Sequence, residues 1–183
     1  MKIFISGGCK NGKSTYAQRI AKWQSQQASP LYYIATMSAV DEEDSARIST
    51  HQQEREGWGF TTIEQPTGIE NILHKCDYDG SFLLDSLTAL LANEMFPTSG
   101  DFDENAWERI AAGLLQVLGK LENIVIVSDY IYSDAMQYDP LTEAYRKSLA
   151  ALDRLAAKNC DVVLEAAYTQ IITHKGEVPY EIY

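Results

Sequence analysis

The chain has 183 residues, 45% of them hydrophobic and 22% charged, with 15 Lys+Arg against 26 Asp+Glu and a formal net charge of −11. Those figures suit one globular domain over residues 1–183 with a real core, and they exclude a disordered tail. The negative charge repels phosphodiester backbones and anionic membranes, so no nucleic-acid partner is expected and any phosphate site must be local. Cys9, Cys76 and Cys160 form no C-x-x-C pair, which fits a reducing cytoplasm. No apolar run approaches the ~20 residues of a membrane span. Met1-Lys2-Ile3-Phe4-Ile5 runs directly into a motif, so a secretory signal is not expected.

In chain order, short β-rich apolar runs predict strands at Lys2–Ser6, Leu31–Thr36, Thr61–Glu64, Ser81–Asp85, Asn123–Ser128 and Asp161–Ala166. Apolar residues spaced three and four apart predict helices over Lys13–Gln24, Glu42–Glu56, Leu87–Met95, Glu104–Leu121 and Leu141–Lys158. Pro30, the Pro97-Thr98-Ser99-Gly100 stretch and Asp139-Pro140 punctuate the boundaries. The acidic run Asp41-Glu42-Glu43-Asp44 stands at a predicted helix start, where it complements the dipole or contacts a metal or substrate. Residues 171–176 read as a last hairpin or edge strand. Strands alternating with helices imply crossover connections, hence an α/β fold with a mainly parallel sheet covered by helices on both faces and a possible C-terminal antiparallel edge strand.

Gly7-Gly8-Cys9-Lys10-Asn11-Gly12-Lys13-Ser14 fits G-x-x-x-x-G-K-[ST], between a predicted strand and a predicted helix. Backbone N–H groups of such a loop converge on phosphate oxygens, and glycines are required where a side chain would block the approach or φ is positive. Lys13 then reaches the β- and γ-phosphates, and the Ser14 hydroxyl can ligate Mg²⁺. A nucleoside triphosphate, ATP or GTP, is the implied ligand. Lys10 and Thr15 either touch phosphate or point elsewhere.

A phosphate-loop enzyme also needs a carboxylate at a strand end to hold the metal. Phe82-Leu83-Leu84-Asp85 and the run from Ile124 to Asp129 both end in Asp, and spacing favours Asp85. The alternative role for each is capping of a helix downstream. Arg47, His51 and Arg55 follow one another at four-residue intervals, which puts two guanidinium groups and an imidazole on one helix face. That face suits phosphate oxygens and a phosphate-accepting nucleophile, or is simply solvated. His74 and His174 carry no functional reading.

Four blocks together resemble the bifunctional adenosylcobinamide kinase/adenosylcobinamide-phosphate guanylyltransferases of cobalamin synthesis. They are Ile5-Ser6-Gly7-Gly8 through Ser14; Tyr33-Ile34-Ala35-Thr36; the Asp41-to-Arg55 segment with Arg-Ile-x-x-His-x-x-x-Arg, then Trp58 and Glu64-Gln65-Pro66; and Leu84-Asp85-Ser86-Leu87-Thr88 with Asn93. The resemblance implies a phosphate-loop NTPase-type fold and a cytoplasmic homo-oligomer. It also implies an enzyme that phosphorylates adenosylcobinamide with ATP or GTP, then transfers GMP from GTP onto the product through a guanylyl-histidine. By that resemblance His51 is the guanylylated residue. Nucleotide contacts fall on the phosphate loop, on Ile34, Ala35, Thr36, Gln52, Gln53, Glu54, Arg55 and Glu64, and on Asp85, with Mg²⁺ at Ser14 and Asp85.

Downstream the pattern changes. Where the family reads Thr-Asn-Glu-Val-Gly, this chain reads Ser128-Asp129-Tyr130-Ile131-Tyr132, and Tyr130, Tyr132 and Tyr138 either line an acceptor pocket or pack. Two other readings stay open on the residues: a kinase or nucleotidyltransferase paralogue with a different acceptor, and a nucleotide-binding module without catalysis.

Overall fold

The computed structural model describes residues 1–25, 30–38, 49, 53 and 55–178. Strand β1 (Lys2–Gly7) leads into helix α1 (Lys13–Ser25), followed by β2 (Leu31–Ala35) and β3 (Thr61–Glu64). A 3₁₀ turn (Ile69–His74) precedes β4 (Ser81–Asp85), α2 (Leu87–Met95), α3 (Ala106–Lys120) and β5 (Asn123–Asp129). The chain then forms α4 (Pro140–Asn159), β6 (Val162–Ala167) and β7 (Gln170–Lys175).

The seven strands form one sheet in the order β3-β2-β4-β5-β1-β6-β7. All neighbouring pairs are parallel except β6 and β7. The central strands are buried on both faces, which explains why KIFISG and NIVIVSD are continuous apolar runs rather than alternating ones. Alternate side chains point to opposite faces. Ile3, Ile5, Leu83, Val125 and Val127 pack with Ala17, Ile20 and Ala21 of α1. Phe4, Ile34, Phe82, Leu84, Ile124 and Ile126 pack with α2, α3 and α4 through Leu90, Leu91, Leu114 and Leu149. Each such fully buried side chain contributes roughly 1.5–3 kcal/mol.

The predicted last hairpin is β6 and β7. Its two-residue turn is formed by Tyr168 and Thr169, both at positive φ (50° and 64°), as a primed turn requires. β7 is exposed along nearly all its length and closes the sheet as an antiparallel edge. The predicted helix over Glu42–Glu56 and the acidic run at its start lie outside the described residues, apart from Ser49 and Gln53, both helical, and Arg55 and Glu56. Helix α3 begins two residues later than the periodicity predicts, with Asn105 at its N-cap. Helix α4 begins one residue earlier, because Asp139 accepts from the Leu141 and Thr142 amides and Pro140 is tolerated in a first turn. The 3₁₀ turn was not foreseen.

Candidate functional site

β1 hands the chain to α1 through the phosphate loop. Lys10 (φ 57°) and Gly12 (φ 84°) are left-handed, and such reversals of hand gather successive N–H groups into an anion-binding concavity. Gly7 is needed for a different reason: a Cβ there would lie 2.6 Å from the Ala166 carbonyl oxygen of β6. The Asn11 side-chain amide donates to that same carbonyl and its oxygen accepts from the Lys13 amide at 3.3 Å. The loop is therefore fastened to the strand beside it. Cys9 and Lys10 are exposed, while Asn11 and Ser14 are half-buried.

Lys13 is buried, with its ammonium folded back over the loop. It donates to the Gly8 carbonyl at 3.2 Å and pairs with the Asp129 carboxylate. A buried cation at a helix N-terminus, held by one partly exposed carboxylate, is poised to exchange that partner for a phosphate. Strand register makes the pairing possible, since Gly7 stands opposite Asp129 across β1 and β5.

Several of the residues assigned to nucleotide contact meet at the carboxyl edge of the sheet. Ala35 is in register with Glu64 on one side and Asp85 on the other. Thr36 is buried; its hydroxyl donates to the Ser86 carbonyl at 2.8 Å and accepts from the Ser86 amide at 2.7 Å, locking the end of β2 to the start of α2. Asn93 supports the same corner by donating to the Thr36 carbonyl at 2.7 Å. Ile34 differs, because its side chain packs in the core away from this edge.

Tyr33 joins the edge to the end of the histidine segment. Its hydroxyl donates to Asp85 Oδ2 at 2.9 Å, and the Arg55 guanidinium lies 3.5 Å from its ring centroid. Burial, then the Asp85 charge, holds the Tyr33 phenol well above its ordinary pKa, so it stays a donor. Ser49, Gln53, Arg55, Thr62 and Glu64 line an open cleft of about 800 Å³. His51, Gln52 and Glu54, and Arg47 with them, lie outside the described residues.

The capping alternative for the two strand-end carboxylates is not realised. Ser86 caps α2 and Asp139 caps α4, which leaves Asp85 and Asp129 at the sheet edge. Tyr138 lines neither cleft and is exposed, with the Arg146 guanidinium 4.6 Å from its ring. Arg146 is itself buried and pins the loop after β5, donating to the Ile131 carbonyl at 3.1 Å and to Asp134 Oδ1 at 2.9 Å. Tyr130 and Tyr132 instead line a second cleft, of about 350 Å³.

Sequence reasoning missed Asp153. It is 4% exposed, accepts from the Tyr132 hydroxyl at 2.7 Å, and burial pushes its carboxyl up to about 6. A signal existed, for position 153 falls on the buried stripe of α4 with Leu149, Leu152 and Ala156.

Two solved structures share this architecture at low identity. Flagellar accessory protein FlaH from Methanocaldococcus jannaschii is 13% identical with a TM-score of 0.52, over 96% of this chain and 78% of that one. The KaiC-like protein PH0186 from Pyrococcus horikoshii OT3 is 11% identical with a TM-score of 0.53, over 98% and 81%. With the phosphate loop in place, the fold is of the phosphate-loop NTPase type.

Among sequence relatives, the chain is 33% identical over 110 residues to the bifunctional adenosylcobalamin biosynthesis protein CobU of Escherichia coli (strain K12), covering 59% of this chain and 58% of that protein. Against the same-named protein of Salmonella typhimurium the match is 29% over 113 residues, 59% of that protein. The match to bifunctional adenosylcobalamin biosynthesis protein CobP of Pseudomonas aeruginosa is 30% over 179 residues, 97% of this chain and 99% of the relative. The chain thus spans somewhat over half of the two CobU proteins and nearly all of CobP. Residues 3–169 match the sequence profile of the cobinamide kinase / cobinamide phosphate guanyltransferases, and the chain belongs to that family of transferases.

Proposed function

We propose that the chain phosphorylates adenosylcobinamide with ATP or GTP, and then transfers GMP from GTP to adenosylcobinamide phosphate through a guanylyl intermediate on His51. One observation carries the reading: the phosphate loop stands ready around a buried Lys13 in a chain that matches the family over residues 3–169.

In the kinase step the acceptor oxygen forms a bond to the γ-phosphorus while the bond from that phosphorus to the β,γ-bridging oxygen breaks. The nucleoside diphosphate leaves and the hydroxyl proton passes to water. Loop amides and the Lys13 ammonium hold the phosphate oxygens on which charge accumulates. In the guanylyl step a ring nitrogen of His51 attacks the α-phosphorus of GTP and pyrophosphate departs. An oxygen of the acceptor phosphate then attacks the same phosphorus and the nitrogen–phosphorus bond breaks, giving adenosylcobinamide-GDP. A neutral imidazole, ordinary pKa about 6.5, is competent for this near neutrality. Arg55, stacked on Tyr33, and Glu64 at the end of β3 border the cleft that Ser49 and Gln53 also line, and they are the described candidates for holding the guanine nucleotide.

Mg²⁺ bound with the triphosphate would neutralise phosphate charge. Ser14 and Asp85, with Asp129 as the second carboxylate at that edge, offer only oxygen donors, and Mg²⁺ takes one or two such protein ligands with phosphates and water completing its shell.

The test is covalent labelling. GTP labelled at the α-phosphate should leave acid-labile, alkali-stable label on the protein, lost in His51→Ala, whereas γ-label should not be retained in this intermediate. Label persisting in His51→Ala rejects the nucleophile. Normal labelling with no guanylylated corrinoid among the products favours a paralogue with another acceptor, which the changed sequence after β5 permits. No labelling and no turnover despite tight triphosphate binding would leave a binding module.

A further inference from the structure

We propose that the smaller cleft, between the loop that follows β5 and the β6–β7 hairpin, takes the hydroxyl-bearing arm of the phosphoryl acceptor, with Tyr132 as a hydrogen-bonding residue and Asp153 as the residue that positions Tyr132. The inference rests on the function proposed above and assigns its acceptor site.

Location is the first argument. Ser6, at the inner end of the cleft, immediately precedes Gly7 of the phosphate loop, and in the sheet Ser6 stands opposite Ser128 as Gly7 stands opposite Asp129. An alcohol bound against Ser6 is therefore one residue from the loop that grips the triphosphate. The cleft, about 350 Å³, admits a short aliphatic arm and leaves a macrocyclic body outside.

Exchangeable hydrogen bonds are the second argument. The buried Ser6 hydroxyl meets the Tyr132 hydroxyl, and the Ser128 hydroxyl stands at Asp153 beside it, so the cluster is held by neutral hydroxyls, which an incoming alcohol can replace one for one. The Tyr132 hydroxyl spends its proton on Asp153 Oδ2 at 2.7 Å. Its oxygen is then oriented to accept from an alcohol O–H, while the Ser6 hydroxyl is available to donate to the alcohol oxygen. One acceptor and one donor beside the apolar Val163 side chain are what an aliphatic alcohol requires. At the mouth, His174 and Glu165 face each other at 2.8 Å and supply a polar rim.

Rigidity is the third. Arg146 is buried beneath the loop that carries Tyr132 and holds it through Ile131 and Asp134, so the phenol is positioned before the acceptor arrives.

The experiment compares Tyr132→Phe, Asp153→Asn, Asp153→Leu and Ser133→Trp with the wild type, reading KM for adenosylcobinamide and kcat in the kinase step and calorimetric affinity for ATP with Mg²⁺. Loss of one hydrogen bond to the alcohol should raise the acceptor KM about tenfold in Tyr132→Phe. Asp153→Asn retains an oxygen to accept from Tyr132 and should stay close to wild type, while Asp153→Leu should reproduce the Tyr132→Phe increase. Ser133 is exposed on the cleft wall, so a tryptophan there should block the acceptor without disturbing the core and stands in if Asp153→Leu fails to fold. Nucleotide affinity should keep the wild-type value in all four. An unmoved acceptor KM in Tyr132→Phe and Ser133→Trp, with wild-type turnover intact, overturns the site alone. A wild type that makes no phosphorylated corrinoid overturns the function, and this site with it.

Discussion

Asp153→Asn offers a quantitative check on how the interior of α4 handles a carboxyl group. The side chain is raised from an ordinary 3.8 to about 6, chiefly by burial, with the Asp129 charge adding to the rise and the Ser128 and Tyr132 hydroxyls and Arg154 opposing it. In the unfolded chain the group ionises from its ordinary value; in the folded protein it keeps its proton until about 6. Below both values the proton is bound in either state and nothing is lost. Between them folding takes up a proton, so stability falls as pH rises, and above the folded value the penalty is complete. About two pKa units at 1.36 kcal/mol each give about 3 kcal/mol. Asparagine fills the same volume, still accepts from Tyr132 and does not titrate. The unfolding free energy of Asp153→Asn relative to wild type should therefore swing in the variant's favour by up to about 3 kcal/mol between about pH 3.5 and about pH 7.5. Urea unfolding of both proteins at the two pH values measures this, and a difference that does not change with pH would refute the reasoning. In thermal melts the same swing corresponds to roughly 6–12 °C for a chain of this length.

Lys13→Ala should weaken triphosphate binding roughly 10- to 100-fold, the worth of one charged hydrogen bond, by calorimetry; unchanged affinity would contradict the phosphate-loop reading. Asp129→Asn strips the partner from a buried ammonium, and because Asp129 is partly exposed the loss should be about 1–2 kcal/mol, below the full figure for a buried pair. Melting with and without saturating nucleotide checks it, since phosphate should take over Lys13 and shrink the difference. Gly7→Ala forces a methyl against the Ala166 carbonyl and should cost roughly 1–3 kcal/mol, with a parallel loss of nucleotide affinity in the fraction that folds.

Local elements were legible because their signals are local. Residues 61–64, 81–85 and 87–95 emerge as read, each bounded by a turn residue or a cap such as Ser86. The 3₁₀ turn was not, since Ile69 and Ile72 give a single apolar step, too short to establish a period. Parallel buried strands could be inferred from unbroken apolar runs, but their order could not, because KIFISG carries no mark of which strands will flank it. For the same reason the phosphate loop was fully readable while the partner of Lys13 was not: spacing favoured Asp85 for the metal, and register alone brings Asp129 to the lysine. Asp153 looked like one more charge on an amphipathic helix until Ser128 and Tyr132 closed around it.

β1 precedes both its sheet neighbours, β5 and β6, and the partner of Lys13 is 116 residues further along the chain. A fragment ending before residue 123 lacks both strands that flank β1 and the carboxylate that pairs with Lys13, so the triphosphate grip is completed only once β5 is in place. Pairings so distant in sequence close slowly, and an unpaired apolar strand is prone to aggregate until they do.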